Sequence, residues 1–136
     1  MADTFQLQVA TPERLLVDEQ VTEAEIPGKN GYMGILAGHA PLLSALAPGL
    51  LTYGSGGSKR VLVVDGGFVE VFENSVRVLA DHAEPANEVN ADAARRQLDE
   101  ANQALREAQD EQSSDAALDK MQQAQAKLDA AENRTH

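Results

Sequence analysis

The sequence contains no cysteine and no tryptophan. The first absence excludes disulfides, thiolate metal sites and cysteine nucleophiles. A zinc site would have to draw on His39, His82 and His136 with carboxylates, and those three are scattered along the chain. Basic residues are few: 11 Lys+Arg face 22 Asp+Glu, a formal net charge of −11. A general nucleic-acid binder needs the opposite balance to neutralise phosphates. The same deficit argues against docking on an anionic membrane surface. No apolar run approaches the roughly 20 residues that span a bilayer. Met1-Ala2-Asp3-Thr4 lacks the basic and apolar regions of a signal peptide, so the protein is expected to stay in the compartment where it is made.

What is present divides into two halves. All 10 glycines lie at or before Gly67, all 5 prolines at or before Pro85, and every aromatic residue before position 73. From Glu88 onward the chain is rich in Ala, Gln, Asp and Glu, with no glycine, proline or aromatic. Gly and Pro punctuate turns, whereas Ala, Gln, Glu, Leu and Arg favour helix. The expectation is an α+β chain: a β domain over residues 1–87, a connector near Pro85-Ala86-Asn87, and a helical hairpin over residues 88–136.

Period-two runs mark the strands of the first half. Phe5, Leu7 and Val9 alternate with Gln6 and Gln8, and Val21 to Ile26 alternates loosely before Pro27-Gly28. Thr11-Pro12-Glu13-Arg14 supplies a turn. Asn30-Gly31 signals a type I′ hairpin. Leu50–Tyr53 and Val61–Val64 flank a glycine-rich loop, Gly54 to Ser58. Phe68–Phe72 and Val76–Leu79 flank Glu73-Asn74-Ser75. Asp65-Gly66-Gly67 reads as a turn or bulge between strands. Many short strands at this spacing indicate a sandwich or small barrel.

The second half carries helical stripes. Ala94, Leu98, Ala101, Leu105 and Ala108 step by four, three, four and three, and Ala117, Met121, Ala124, Leu128 and Ala131 repeat those steps. Each set is a narrow seam on one helix face. Asn90 and Ser114 are the expected N-caps, and Asp92–Arg96 and Arg106–Asp110 the expected i,i+4 pairs. The short connection makes the helices antiparallel neighbours. Each stripe holds three alanines and two large residues, and only a large apolar side chain contributes as much as roughly 1.5–3 kcal/mol on burial. Such a hairpin is marginal alone and must lean on the β domain or on a partner.

Catalytic groupings are absent from this inventory. His39 lies in Gly38-His39-Ala40-Pro41 without the neighbours that a nucleophile or a metal needs. Asp81 and His82 are adjacent on a strand and point to opposite faces. Gly54-Ser55-Gly56-Gly57 lacks the Lys and the following helix of a phosphate loop. The residues alone indicate an interaction module. A small-ligand sandwich would need a concave polar pocket, and a hydrolase using His39 as base would act unaided.

The run IPGKNGYMGILAGHAPLLSALAPGLL, Ile26 to Leu51, resembles the signature of the ε subunit of F-type ATP synthases. Gly66-Gly67-Phe68-Val69-Glu70-Val71, Val76-Arg77-Val78-Leu79-Ala80-Asp81 and Ala83-Glu84 extend the resemblance over essentially the whole chain. It implies a β-sandwich of about ten strands followed by an antiparallel helix pair. It implies a rotor component that binds the γ subunit and the c-ring, with a mobile hairpin that restrains ATP hydrolysis at the α/β catalytic subunits. No catalysis, cofactor or metal of its own is implied. The implied location is peripheral, at the cytoplasmic face of a bacterial inner membrane or the stromal face of a thylakoid. Association with the membrane would come only through the complex.

By the same resemblance, Lys29, Asn30, Gly31 and Tyr32, with Gly38, His39, Ala40, Pro41 and Leu42, form the end that meets the c-ring. The family often carries an acid near the position of Tyr32. Some members bind ATP at the start of the first helix through I/L-D-x-x-R-A. Here Val89-Asn90-Ala91-Asp92-Ala93-Ala94 departs from that pattern, and a shifted alignment recovers only Asp92 and Arg95, with Arg96 beside them. From Glu88 onward eleven acids face six bases, so an inhibitory contact with an acidic site would be weak or would work by steric blocking alone.

Overall fold

The computed structural model describes residues 3–132. Methionine 1, Ala2 and the last four residues, His136 among them, lie outside the described residues. Eight strands come first: β1 (Phe5–Ala10), β2 (Leu15–Val21), β3 (Glu23–Gly28), β4 (Gly31–Leu36), β5 (Leu42–Ala45), β6 (Gly49–Ser55), β7 (Ser58–Phe72) and β8 (Ser75–Pro85). A single 3-10 turn, Ala86–Glu88, leads into α1 (Ala91–Glu107) and α2 (Glu111–Ala131).

The eight strands make two layers because two of them serve both. The first part of β7 pairs with β6, whereas Phe68 pairs with Ala45 of β5. Strand β8 pairs with β1 over Ser75–Leu79 and continues along β7 to Pro85. One layer is β4-β3-β6 with the near halves of β7 and β8. The other is β2-β1 with their far halves and β5. Each layer thus has five strand segments, which is how eight strands make the sandwich expected to have about ten. Phe5, Leu7, Val9, Ile26, Ile35, Leu51, Val64, Val69 and Val78 face inward between the layers and are almost wholly buried.

The change of layer happens at Asp65-Gly66-Gly67, which is a bend inside one strand and not a turn between two. Gly66 and Gly67 have φ of 69° and 106°, a region that side chains with a Cβ rarely enter. A Cβ on Gly67 would also collide with the carbonyl oxygen of Leu79 across the ladder. The register on either side is unbroken, Asp65 opposite His82 and Gly67 opposite Ala80.

Other turns differ from their sequence reading. The β3–β4 turn centres on Lys29-Asn30, and its positive φ, 126°, belongs to Gly31, so it is not type I′. Positive φ at both central positions occurs instead at Gly56-Gly57 and at Glu73-Asn74. The loosely alternating run from Val21 to Ile26 breaks at Thr22, and Leu15–Val21 is a full strand. Helix α1 is capped by Asn90, whose Oδ1 accepts from Ala93 N–H at 3.0 Å. Helix α2 starts earlier than expected: Asp110 is its cap, not Ser114. Asp110 Oδ1 accepts from Ser113 N–H at 2.7 Å, and the Ser113 hydroxyl closes a reciprocal box. The expected pair Asp92–Arg96 is replaced by Asp92–Arg95 at 3.0 Å. Arg106 donates to Gln103 rather than to Asp110.

Substituting Gly67→Ala is expected to destabilise the sandwich by about 2 kcal/mol or more, because strain and collision add. Urea unfolding followed by circular dichroism measures it.

Candidate functional site

The two outer faces of the sandwich differ, and that difference defines the candidate site. Over the first layer lies α2. Ala126 and Ala130 of α2 pack on Leu50 of β6 and Val63 of β7, with Val61, Ala86 and Val89 at the margin. Helix α1 packs on α2. Ala94, Ala101, Ala117 and Ala124 are buried, and Leu98, Leu105, Ala108, Met121, Leu128 and Ala131 are half-buried. The base of the hairpin is tied by Arg95, which donates to Glu132 at 3.2 Å.

Among the described residues nothing covers the second layer's outer face, which carries an apolar row. Cross-strand register aligns Leu15, Ala10, Leu79, Phe68 and Ala45 across five adjacent strands. Leu15, Leu79 and Phe68 are 55%, 52% and 58% exposed, and Leu43 beside them is 70% exposed. The next row on the same face is charged, Glu70 opposite Arg77. A contiguous exposed apolar patch with a polar rim marks an interaction surface.

The loops expected to form one end are separated. Lys29, Asn30, Gly31 and Tyr32 lie at the start of β4, and Gly38, His39, Ala40 and Pro41 follow its end, roughly 17 Å away for six extended residues. Leu42 is the first residue of β5 and packs against the core. Tyr32 is turned inward at its tip: its hydroxyl accepts from Leu50 N–H at 3.2 Å. His39 donates from Nδ1 to the Ala40 carbonyl at 2.7 Å and is exposed. Asn74, which the sequence reading placed only in the turn Glu73-Asn74-Ser75, holds this second loop. Its Oδ1 accepts from Gly38 N–H at 2.9 Å and its Nδ2 donates to the Thr4 carbonyl at 2.7 Å.

The residues considered for a nucleotide come only partly together. Asp92 and Arg95 are paired at 3.0 Å, and Arg95 also reaches Glu132, whereas Arg96 makes no ion pair among the described residues. Among the described residues no three His, Asp or Glu side chains gather to hold a metal ion, and no helix is long and apolar enough to cross a membrane.

A family model described as the ATP synthase delta/epsilon chain, beta-sandwich domain, matches residues 4–86. The chain belongs to the ATP synthase delta/epsilon family. An ATP synthase epsilon chain of Solibacter usitatus is 57% identical over 99 residues, 73% of this chain and 74% of the relative. The epsilon chain of Anaeromyxobacter sp. strain K is 39% identical over 92% of this chain and 96% of its own length. Among solved structures, a chain of the Euglena gracilis mitochondrial ATP synthase (OSCP, F1 and c-ring, rotational state 1) superposes with a TM-score of 0.81. That match has 28% identity and covers 94% of this chain and 81% of the other. A chain of the Tetrahymena thermophila mitochondrial ATP synthase central stalk and c-ring shares the fold, with a TM-score of 0.71 at 16% identity over 95% of this chain and 97% of the other. Within this epsilon-type chain, both the sandwich and the helix pair therefore have counterparts.

Backbone and hydroxyl hydrogen bonds from Ser113 hold the Asp110 carboxyl below the usual carboxylate range. Its support for α2 is present above the ordinary Asp pKa and is lost as pH falls through the lowered folded value. Asp110→Ala is expected to speed amide exchange at Ser113 and Ser114 near neutral pH. The difference from the parent chain should vanish in strong acid.

Proposed function

We propose that this chain is a non-catalytic rotor subunit of an F-type ATP synthase, carried at the cytoplasmic face of a bacterial inner membrane. The bare outer face of the second layer grips the γ subunit. The Lys29–Tyr32 turn meets the c-ring, and the helix pair regulates hydrolysis at the α/β catalytic subunits. The observation that carries this reading is the apolar row Leu15-Ala10-Leu79-Phe68-Ala45, five strands wide and uncovered among the described residues. A chain net negative by 11 charges suits a partner met through apolar area rather than through phosphate or lipid.

The helix pair fits regulation because its seat is small. Two alanines rest on Leu50 and Val63, and an alanine methyl buries little area. We read the hairpin as mechanical rather than nucleotide-sensing. Arg95 is engaged by Asp92 and Glu132, and a phosphate would have to displace both. Titration with MgATP is expected to give no heat of high-affinity binding.

Phe68→Glu is expected to weaken assembly with γ tenfold or more while leaving the far-ultraviolet circular dichroism unchanged, since the side chain is already 58% exposed. Deleting residues 88–136 is expected to leave the sandwich folded and bound to γ and to raise ATP hydrolysis by the assembled enzyme. Equal hydrolysis with and without the hairpin under every condition removes the regulatory role.

A further inference from the structure

The ladder between β3 and β6 stops early. It runs through Glu23–Gly54, Ala24–Tyr53 and Glu25–Thr52. Continuing that register by two residues would set Pro27 opposite Leu50, but the Pro27 carbonyl accepts instead from Ala47 N–H at 2.8 Å. Beyond Pro27 the chain has turned away from β6: Gly28 bridges to Leu46, and Lys29 N–H donates to the Ala45 carbonyl at 3.0 Å. That leaves the Leu50 N–H without the acceptor that β3 would have supplied, in a residue only 2% exposed. A buried amide that has lost water needs another acceptor. The Tyr32 hydroxyl takes that place from β4, accepting from Leu50 N–H at 3.2 Å.

Its neighbours are shaped for this reach. Tyr32 stands opposite Pro27 in the β3–β4 pair, so its side chain must pass Pro27 to arrive at Leu50. Gly49 leaves the room: a Cβ there would stand 2.7 Å from Tyr32 Oη and 2.8 Å from Pro27 Cβ, closer than such atoms pack. Leu50 in turn carries the hairpin, because its side chain lies with Val63 under Ala126 and Ala130. Lys29 and Tyr32 on one side and Gln122 and Ala126 of α2 on the other line a single open cleft with Leu50. One hydroxyl thus joins the Lys29-Asn30 turn to the residue on which α2 sits.

We propose that Tyr32 is a positioning residue: its hydroxyl straps the Lys29-Asn30 turn to the hairpin seat through the Leu50 amide, so that displacing the turn loosens α2 and docking α2 steadies the turn. The proposal rests on the reading of the hairpin as detachable. Tyr32, which the resemblance sets among the residues that meet the c-ring, uses its hydroxyl inside the chain, and the exposed Lys29 and Asn30 are what the turn offers outward. If the turn moves, Tyr32 leaves the Leu50 amide without an acceptor, and the backbone under Ala126 must shift to find one. The converse follows because coupling between two equilibria is reciprocal. With two alanines resting on Leu50 and Val63, a small shift of the seat moves the docked population.

The absence of cysteine allows a clean test in the full chain. Positions 84 and 123 line a different cleft from the turn's, so Glu84→Cys and Gln123→Cys leave the strap intact. They take a pair of spin labels whose distance distribution separates docked from released chains. Tyr32→Phe keeps the ring and removes the acceptor. It is expected to speed amide exchange at Leu50 about tenfold or more, with a smaller change at Val63, and to raise the released-to-docked ratio about three- to tenfold. Gly31→Ala strains the turn itself, since Gly31 has a φ of 126° and open space where a Cβ would stand. It should raise the released fraction in the parent chain and add little once Tyr32→Phe has cut the link. Leu50 exchange that ignores Tyr32→Phe overturns the strap. Faster exchange with an unchanged docked ratio overturns the coupling, as does a Gly31→Ala effect that is absent or is equally large with and without the hydroxyl. A hairpin docked in every variant, Ala126→Asp included, overturns the detachable reading itself and the coupling with it.

Discussion

The architecture depends on one close approach of backbone to backbone. At Gly67 the Leu79 carbonyl occupies the space where a Cβ would stand, and Gly66 and Gly67 together carry β7 through a bend with both φ positive. Without that bend β7 would stay in one layer. With it, β7 and β8 feed both layers, the inward rows close on one core, and the molecule acquires two outer faces built from the same two strands. The face on the near half takes the hairpin, and the face on the far half presents the apolar row. A partner gripped by Phe68 and Leu79, as we propose, would thus lie only a few residues along the strands from Val63, Asp65 and the hairpin seat.

That proximity gives a physical route between the two faces. The strands are continuous and hydrogen-bonded through the bend, Gly67 opposite Ala80 and Phe68 opposite Leu79. A partner on the far face and a docked helix on the near face act on one stiff ladder. Tyr32 makes a second link, since its hydroxyl accepts from the Leu50 amide and the Leu50 side chain lies under Ala126. The turn that carries Tyr32 and the helix seat therefore share a backbone group.

The helices were legible in the sequence because Leu98, Leu105, Met121 and Leu128 stand in alanine stripes with a regular step. The strands with clean alternation, such as Phe5-Leu7-Val9, were legible for the same reason. Strand β2 was not, because its inward row is broken by Glu19 between Val17 and Val21. That carboxylate sits at an edge and is met by Arg60 from the other layer at 3.1 Å. The bend passed for a turn because adjacent glycines serve both, and only the register tells them apart. The cap of α2 moved from Ser114 to Asp110 because Ser113 completes a reciprocal pair with Asp110, and such a box outweighs a single hydroxyl. The site was least legible. Ala126 and Ala130 look like any other alanine in an alanine-rich helix, and their function comes from Leu50 and Val63, which lie more than sixty positions away. The apolar row was invisible because it is assembled from five strands by cross-strand register.

The balance of the hairpin follows from these same residues. A seat of large side chains would bury enough area to hold α2 permanently, and the helix would then be part of the core. Alanines leave a contact that weak forces can outvote. Asp65 lies part-buried at the edge of the seat, beside a cleft that Gln123 and Lys127 of α2 also line. An alanine seat of this kind suits the detachable hairpin we propose.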